Sequence, residues 1–157
     1  MELGRGLARN GMWGVAEDEG GQPLTVEKRD KGTWRIAAAK SARVTVRLRV
    51  YANDLTVRTS HLDGTHGYFN GATVFYYAEA LRDREHRVFV HCPIGWVPFC
   101  ALPRQGNEFI AADYDELVDS PFEVGPNEAL TVPAAKVPHQ VVGGGAPQDS
   151  TARTGPM

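Results

Sequence analysis

The chain has 157 residues, of which 42% are hydrophobic and 23% charged, with a formal net charge of −2. This composition is that of a globular domain with a real core, and it excludes a wholly disordered chain. The balance of 17 basic and 19 acidic residues argues against general affinity for nucleic acid. No apolar run approaches the roughly 20 residues of a membrane helix, and residues 1–10 contain no hydrophobic signal segment. A cytoplasmic protein is therefore expected, and Cys92 and Cys100 leave both a disulfide and two free thiols open.

Short strands separated by turn signals dominate the first half of the chain. Residues 24–28 and 33–37 flank the turn-like RDKG and predict a β-hairpin. Residues 43–51 (RVTVRLRVY) alternate strictly between apolar and polar side chains, which is typical of a half-buried strand. Residues 55–59 predict a short strand. Residues 72–79 (ATVFYYAE) are apolar on both faces and predict a covered central strand.

The second half continues this pattern with weaker signals. Residues 86–91 alternate, with Val88 and Val90 inward, and residues 113–119 (DYDELVD) predict one helical turn. Because no long amphipathic helix is present and Gly and Pro punctuate the strands, the predicted fold class is all-β. It is an antiparallel β-sandwich with short strands and little helix. Further short strands are predicted at 122–124, 129–132 and 139–142.

Residues 61–77 (HLDGTHGYFNGATVFYY) contain the side chains best suited to chemistry. His61, Asp63 and His66 form HxDxxH, whose residue types suit zinc, but the spacing matches no standard zinc signature and no further ligand is obvious nearby. We expect Asp63-Gly64 to form a turn, the histidines to hydrogen-bond within the loop, and no metal to be bound by this chain. The block as a whole is predicted to be a long loop that enters the covered strand.

Within this block, HGYFNG places Gly67 and Gly71 on either side of two aromatic residues and an asparagine. Both glycines permit positive φ, so the loop can bend sharply. One interpretation is a loop tip that presents Tyr68 and Asn70 to a ligand or another domain. The other is a tight connection that tucks Phe69 into the core.

The remaining polar segments favour no enzyme. DYDELVDSP (113–121) carries four carboxylates, which we interpret as an exposed acidic turn rather than a calcium or acid–base site. The motifs GxSxG, GxxxxGK[ST] and HExxH are absent, and His86, His91 and His139 are isolated. A self-sufficient hydrolase is therefore disfavoured.

Several segments, taken together and in order, match a known family. Over residues 5–142 the chain resembles the N-terminal domain of the glycyl aminopeptidase family, metallopeptidase family sixty-one. VPHQVV (137–142) is also similar to the family's VPHEIVV-type segment, which leads towards the catalytic domain. The other matching segments are VEKRDKGTWRI (26–36), VRLRVYANDLTVRTSHLDGTHGYFNGATVF (46–75), LRDREHRV (81–88), GW (95–96) and ADYDELVDSPFEVG (112–125).

The resemblance implies a β-sandwich packed on a thermolysin-like catalytic domain, with a PDZ domain near the C-terminus of the full-length protein. In that family, zinc and the general base belong to an HExxH helix of the catalytic domain, and this sequence has none. We therefore expect a non-catalytic N-terminal domain of a glycyl-aminopeptidase-like zinc metallopeptidase, inactive alone, with no cofactor, catalytic residue or metal ligand of its own. Zinc is expected only in the catalytic domain. The expected partners are that domain and, in a full-length relative, the peptide substrate, but neither nucleic acid nor membrane.

The resemblance also implies a role for the HGYFNG loop. An N-terminal domain that leans over a peptidase cleft can offer loop residues to the free amino end of the substrate. His66, Tyr68 and Asn70 are the predicted contacts, with Gly67 and Gly71 setting the bend.

The alternative function is a stand-alone β-sandwich binding module for peptide or carbohydrate that binds through Tyr68, Phe69 and Trp96. Exposed aromatic side chains at these positions would favour this module. Buried aromatic side chains and a bare apolar face towards the C-terminus would favour the accessory domain instead.

Both ends of the chain depart from the family pattern. Family members begin earlier, with strands and a WxPGSY-type segment before the stretch that resembles GLARN (6–10), and residues 143–157 do not resemble their continuation. We expect a truncated chain, with an incomplete N-terminal sandwich domain at 1–142 and a disordered tail at 143–157. An exposed sheet edge and an uncovered apolar face predict marginal stability or self-association.

Overall fold

The structure, a computed structural model, describes residues 1–4, 11–38, 41, 43–54, 56, 59–134 and 137–143. Two short α-helices, α1 (Gly71–Val74) and α2 (Tyr114–Asp119), and a 3-10 helix at Glu79–Leu81 interrupt a chain of strands. The strands are β1 (Glu2–Gly4), β2 (Gly11–Asp18), β3 (Pro23–Leu24), β4 (Val26–Lys28), β5 (Trp34–Ile36), β6 (Val44–Val50), β7 (Ser60–Leu62), β8 (Gly67–Phe69), β9 (Tyr77–Ala78), β10 (His86–Phe89), β11 (Val97–Cys100), β12 (Arg104–Gln105), β13 (Glu108–Ala111), β14 (Phe122–Gly125), β15 (Glu128–Ala134) and β16 (Val137–Gly143).

One pair of sheets forms the first half of the molecule. Their strand orders are β4-β5-β1-β9 and β3-β2-β6, and the strands pair antiparallel. The predicted hairpin at 24–28 and 33–37 is confirmed as β4 and β5, and the alternating segment 43–51 is confirmed as β6. Apolar side chains of both sheets surround one shared cavity, as the interior of a sandwich requires. They are Leu3, Val26, Trp34 and Ile36 from one sheet and Val15, Val46 and Leu48 from the other, joined by Tyr76.

A second pair of sheets encloses the main hydrophobic core. Their orders are β11-β14-β8-β7 and β10-β13-β12, again antiparallel. Phe122 of β14 lies at the centre: its ring stacks on Phe69 at 4.8 Å and meets Phe109 edge-on at 5.2 Å. Val88 and Val90 pack against this core, as predicted. Phe69 therefore lies in the core, and the predicted all-β antiparallel sandwich is confirmed.

The third unit is a long hairpin. Strands β15 and β16 pair along seven residues each, from Glu128 opposite Gly143 to Ala134 opposite Val137. The strands predicted at 129–132 and 139–142 are confirmed and are longer than predicted. Residues 144–157, where the disordered tail is predicted, lie outside the described residues.

The prediction of a covered strand at 72–79 is wrong. This segment forms α1, then the edge strand β9, then the start of the 3-10 helix. Its apolar character serves packing against other elements: Phe75 contacts Phe69 and Phe122, and Tyr77 contacts Tyr114 of α2. Burial against α2 and burial between two strands select the same residue types, so the sequence pattern did not separate them.

Four smaller points concern the predicted helical turn, the strand at 55–59, the two cysteines and membrane-spanning helices. The helical turn predicted at 113–119 is confirmed as α2. The strand predicted at 55–59 falls largely outside the described residues, since 55, 57 and 58 are not described, and Thr56 and Thr59 lie in no strand. Cys92 and Cys100 are free, half-buried thiols, and burial raises the pKa of both. Neither helix in the described ranges has the length and apolar character that a membrane crossing needs.

Candidate functional site

The residues between β7 and β8 form a tight turn built around Asp63. The Asp63 backbone N–H donates to the His66 carbonyl at 3.1 Å. The Asp63 Oδ1 accepts from the Thr65 hydroxyl and the Thr65 backbone N–H, both at 2.7 Å, and from the His66 backbone N–H at 3.1 Å. The Thr65 hydroxyl contributes most to holding the pKa of the Asp63 carboxyl well below its usual range, with the backbone donors adding to it. The turn predicted at Asp63-Gly64 is confirmed.

Both histidines of HxDxxH lie against this turn. His61 Nε2 is 3.2 Å from Asp63 Oδ2, and His66 Nδ1 is 3.0 Å from the Thr65 hydroxyl and 3.7 Å from Asp63 Oδ1. The expectation that the histidines hydrogen-bond within the connection is confirmed. The fold also gathers one ligand-type atom from each of His61, Asp63 and His66 to within 4.8 Å of one another, which the sequence spacing did not reveal.

The prediction of a long loop over 61–77 is wrong, because most of these residues lie in strands or a helix. His61 and Leu62 belong to β7, and Gly67, Tyr68 and Phe69 form β8. Tyr68 lies opposite His61 on one side and Glu123 of β14 on the other. The predicted loop tip at Tyr68 is therefore a strand flanked on both sides.

Asn70 lies between β8 and α1 and is the N-cap of α1. Its side-chain oxygen accepts from the Ala72 backbone N–H at 3.0 Å, and its extended backbone is that of an N-cap residue. Thr73 donates its hydroxyl proton to the Asn70 carbonyl at 2.8 Å and lies 2.8 Å from the buried hydroxyl of Ser60. The first turn of α1 is thus tied back to β7, which gives Asn70 a clear structural function.

Gly67 and Gly71 do not have the positive φ predicted for them; in the described ranges, the positive-φ glycines are Gly21, Gly95 and Gly106. Close approach explains both residues instead. A Cβ at Gly71 would lie 2.8 Å from the Leu117 carbonyl oxygen and from the Val118 Cα, both backbone atoms of α2. A Cβ at Gly67 would lie 3.0 Å from the Leu62 side chain across the hairpin. The two glycines allow close packing rather than a sharp bend.

An open groove runs between the sheet β11-β14-β8-β7 and the hairpin β15–β16. Tyr68 lines it, whereas the structure places His66 on the turn and Asn70 at the helix cap. Glu123 and His139, which the sequence pattern did not single out as site residues, line the same groove. No local signal marks them, since the pairing register of β14 and β8 alone brings Glu123 beside Tyr68.

The acidic segment 113–121 caps a helix. The Asp113 side chain accepts from the Glu116 backbone N–H at 2.8 Å, and the Glu116 carboxylate accepts from the Ala112 backbone N–H at 2.6 Å. Asp115 pairs with Arg82 at 2.8 Å. Three of its four carboxylates thus satisfy the helix start or a neighbouring cation, in an arrangement related to a capping box but with Glu116 accepting from the residue before the N-cap.

Asn70→Ala is expected to lower the free energy of unfolding by about 1 kcal/mol, because the N-cap acceptor of α1 is lost. Asn70→Asp retains an acceptor oxygen, so its loss in free energy of unfolding is expected to be only a few tenths of that caused by Asn70→Ala. Chemical denaturation of the two variants beside the wild type measures both values. Equal destabilisation by alanine and aspartate would contradict the capping function.

The sandwich layers and the capped helices define a β-rich domain. Residues 5–126 match the family model of the Peptidase M61 N-terminal domain. The chain therefore belongs to this peptidase family through its N-terminal domain. A search of curated protein sequences found no significant match.

A solved structure shares the fold. The crystal structure of an aminopeptidase N family protein from Idiomarina loihiensis superposes with a TM-score of 0.83 at 28% sequence identity. The match covers 92% of the present chain and 28% of that protein. The chain thus corresponds to little more than a quarter of the length of this relative.

Proposed function

We propose that this chain acts as the non-catalytic N-terminal domain of a glycyl-aminopeptidase-like zinc metallopeptidase and packs on its catalytic domain. Family membership and the share of the Idiomarina loihiensis protein that the chain spans support a domain that works beside others. Zinc and the general base are assigned to the catalytic domain, because this sequence holds no HExxH. The observation that carries the packing proposal is an apolar face on the last hairpin.

Leu130, Val132 and Val141 form this docking face. Leu130 and Val141 are directly opposite each other in the ladder, and Val132 follows Leu130 on the same side. Their exposed fractions are 58%, 41% and 57%. Within the described ranges, β15 and β16 pair only with each other. Two-stranded hairpins are marginally stable alone, and clustered exposed aliphatic side chains mark a surface for a protein partner.

The aromatic side chains argue against the alternative of a stand-alone binding module. Tyr68, Phe69 and Trp96 are all partly buried, and Phe69 packs into the core beside Phe122. A module that recognised peptide or carbohydrate through these three residues would present all three rings to solvent, and of the three only Tyr68 lines the open groove. The bare apolar face lies instead on the hairpin β15–β16, which supports the accessory domain.

We also propose a contribution to the substrate cleft, through the strand that carries Tyr68. Tyr68 lines the groove, while His66, Gly67, Asn70 and Gly71 hold its strand and the following helix in place. Thr131 and Val142 of the hairpin also line the groove, on the opposite face of the ladder from Leu130 and Val141. His139, which also lines the groove, is paired with Val132 and lies on the docking face, so the two contributions are tested with Thr131 and Val142 on one side and Leu130 and Val141 on the other.

The docking proposal is tested with the double variant Leu130→Asp/Val141→Asp. Binding to a separately produced catalytic domain of a family member is measured by calorimetry. We expect the wild-type chain to bind and the double variant to lose at least about tenfold in affinity, equivalent to ~1.4 kcal/mol, because two carboxylates are desolvated without partners.

Ile94→Asp provides the matched control. Ile94 is fully exposed at the turn before β11 and lies outside the hairpin. This variant introduces one such carboxylate, half the added charge of the double variant, on an equally apolar residue and is expected to bind as the wild type does. A double variant that binds like the wild type, or a wild-type chain that does not bind, contradicts the proposal.

A further inference from the structure

We propose that His61, Asp63 and His66 form a binding site for one divalent cation of the zinc class on the β7–β8 hairpin. This site belongs to the chain itself and is separate from the zinc assigned to the catalytic domain. Two imidazoles and one carboxylate are a ligand set that zinc and its neighbours in the first transition row accept. A bound water completes the fourth position, so the lack of a fourth protein ligand is no obstacle.

The geometry of the three side chains supports the site. One ligand-type atom of each residue lies within 4.8 Å of the other two, and His61 Nε2 is 3.2 Å from Asp63 Oδ2. With zinc–ligand bonds of about 2.0–2.2 Å, tetrahedral ligands are separated by roughly 3.4 Å. The His61–Asp63 pair already has this separation. His66 Nδ1 lies 3.7 Å from the other oxygen of the same carboxylate, and its ring is partly exposed, so the ring has to move for its nitrogen to reach a bound cation.

The turn prepares the carboxylate for this function. Three hydrogen bonds from Thr65 and His66 engage Oδ1 of Asp63, and they leave Oδ2 directed at His61. His61 is fixed on β7, and the His66 carbonyl is held by the Asp63 backbone N–H. Because the folded hairpin already orders these ligands, a cation encounters a largely assembled site.

The surroundings of His61 set the expected strength. Its side chain is only 15% exposed, and Nδ1 is buried with no hydrogen-bond partner among the described residues. A cation on Nε2 requires the ring proton to reside on Nδ1. Histidine ligands normally donate that proton to a carboxylate or carbonyl, and loss of such a partner typically lowers metal affinity 10–100-fold. We therefore expect binding in the micromolar range and a structural function, in which the cation clamps β7 to the start of β8.

The test uses the purified full chain with Zn²⁺ in calorimetry and Co²⁺ in visible absorption. We expect one Zn²⁺ per chain and a tetrahedral Co²⁺ spectrum. Asp63→Asn keeps the oxygen that accepts the turn hydrogen bonds but removes the charge, and it is expected to weaken Zn²⁺ binding at least tenfold. His66→Gln is expected to do the same. The melting temperature of the wild type should rise with Zn²⁺, and that of Asp63→Asn should not.

His91→Ala is the matched control. It removes an exposed histidine that lies beside Cys92, outside the proposed site. If Zn²⁺ bound to His91 and Cys92 instead, this variant would lose the binding. This variant is expected to bind Zn²⁺ as the wild type does. Circular dichroism establishes that each variant is folded, and Asp63→Asn alone decides the outcome if His66→Gln does not fold. The proposal is overturned by a folded wild type without stoichiometric binding, by unchanged affinity in Asp63→Asn, or by loss of binding in His91→Ala.

Discussion

Phe122→Ala is expected to lower the free energy of unfolding by about 3–5 kcal/mol. Phe122 is 0% exposed, and its ring contacts those of Phe69, Phe75 and Phe109. Three strands and the segment after α1 meet at this ring, so its removal leaves a cavity that no single element can close. Domains of this kind have only ~5–15 kcal/mol of stability. A loss of this size should be visible as an earlier urea transition followed by circular dichroism.

Two further variants separate the cavity from a general effect of losing an aromatic residue. Phe89→Ala removes the same ring from a position that is 48% exposed, and we expect a change below about 1 kcal/mol. Phe122→Leu retains part of the buried volume and should fall between the wild type and Phe122→Ala. If Phe122→Ala and Phe89→Ala proved equally stable, the core would not be centred on Phe122.

Gly71→Ala is expected to destabilise the protein by about 1–3 kcal/mol, although alanine is intrinsically a better helix former than glycine by up to ~1 kcal/mol. The added methyl group would lie 2.8 Å from the Leu117 carbonyl oxygen and the Val118 Cα. Both are backbone atoms of α2, so neither can turn aside as a flexible side chain would. The overlap is relieved only if the two helices separate, which weakens the packing between them.

The informative result is whether Gly71→Ala lowers or raises the stability of the protein. Gly64→Ala introduces the same methyl group at a turn position with no atom within 4 Å, and we expect a change close to zero. Thermal unfolding of the two variants under one set of conditions provides the comparison. Stabilisation by Gly71→Ala would mean that the higher helix propensity of alanine outweighs its contact with α2. That result would contradict the close approach of α1 and α2 at Gly71.

The two helices link these stability predictions to the candidate site. α1 follows directly from the strand that carries Tyr68, and its first turn is tied to β7 through Thr73 and Ser60. A shift of α1 away from α2 should therefore also disturb the hairpin that holds His61 and His66. Gly71→Ala is accordingly expected to weaken Zn²⁺ binding indirectly, which calorimetry with Zn²⁺ measures.

The local elements of the fold follow from the sequence. The alternation in 43–51 predicts β6, and the turn residues between 24–28 and 33–37 predict the hairpin of β4 and β5. Asp63 predicts the turn, because a short carboxylate can accept hydrogen bonds from the backbone two and three residues on. The ordered segments that resemble the glycyl aminopeptidase family identify the family, and the family model agrees. Each of these signals is carried by residues close together in the chain.

The tertiary structure decided what depends on distant neighbours. Residues 72–79 are apolar because they pack on α2 and the core, and composition does not distinguish that burial from a place between strands. Gly71 is small because Leu117 lies against it, 46 positions later in the printed sequence. Strand register placed Glu123 beside Tyr68, and the folded turn brought His61, Asp63 and His66 within 4.8 Å. The spacing of apolar residues and the chemistry of turn residues act over a few positions of the chain. Contacts between elements, by contrast, exist only once the chain has folded.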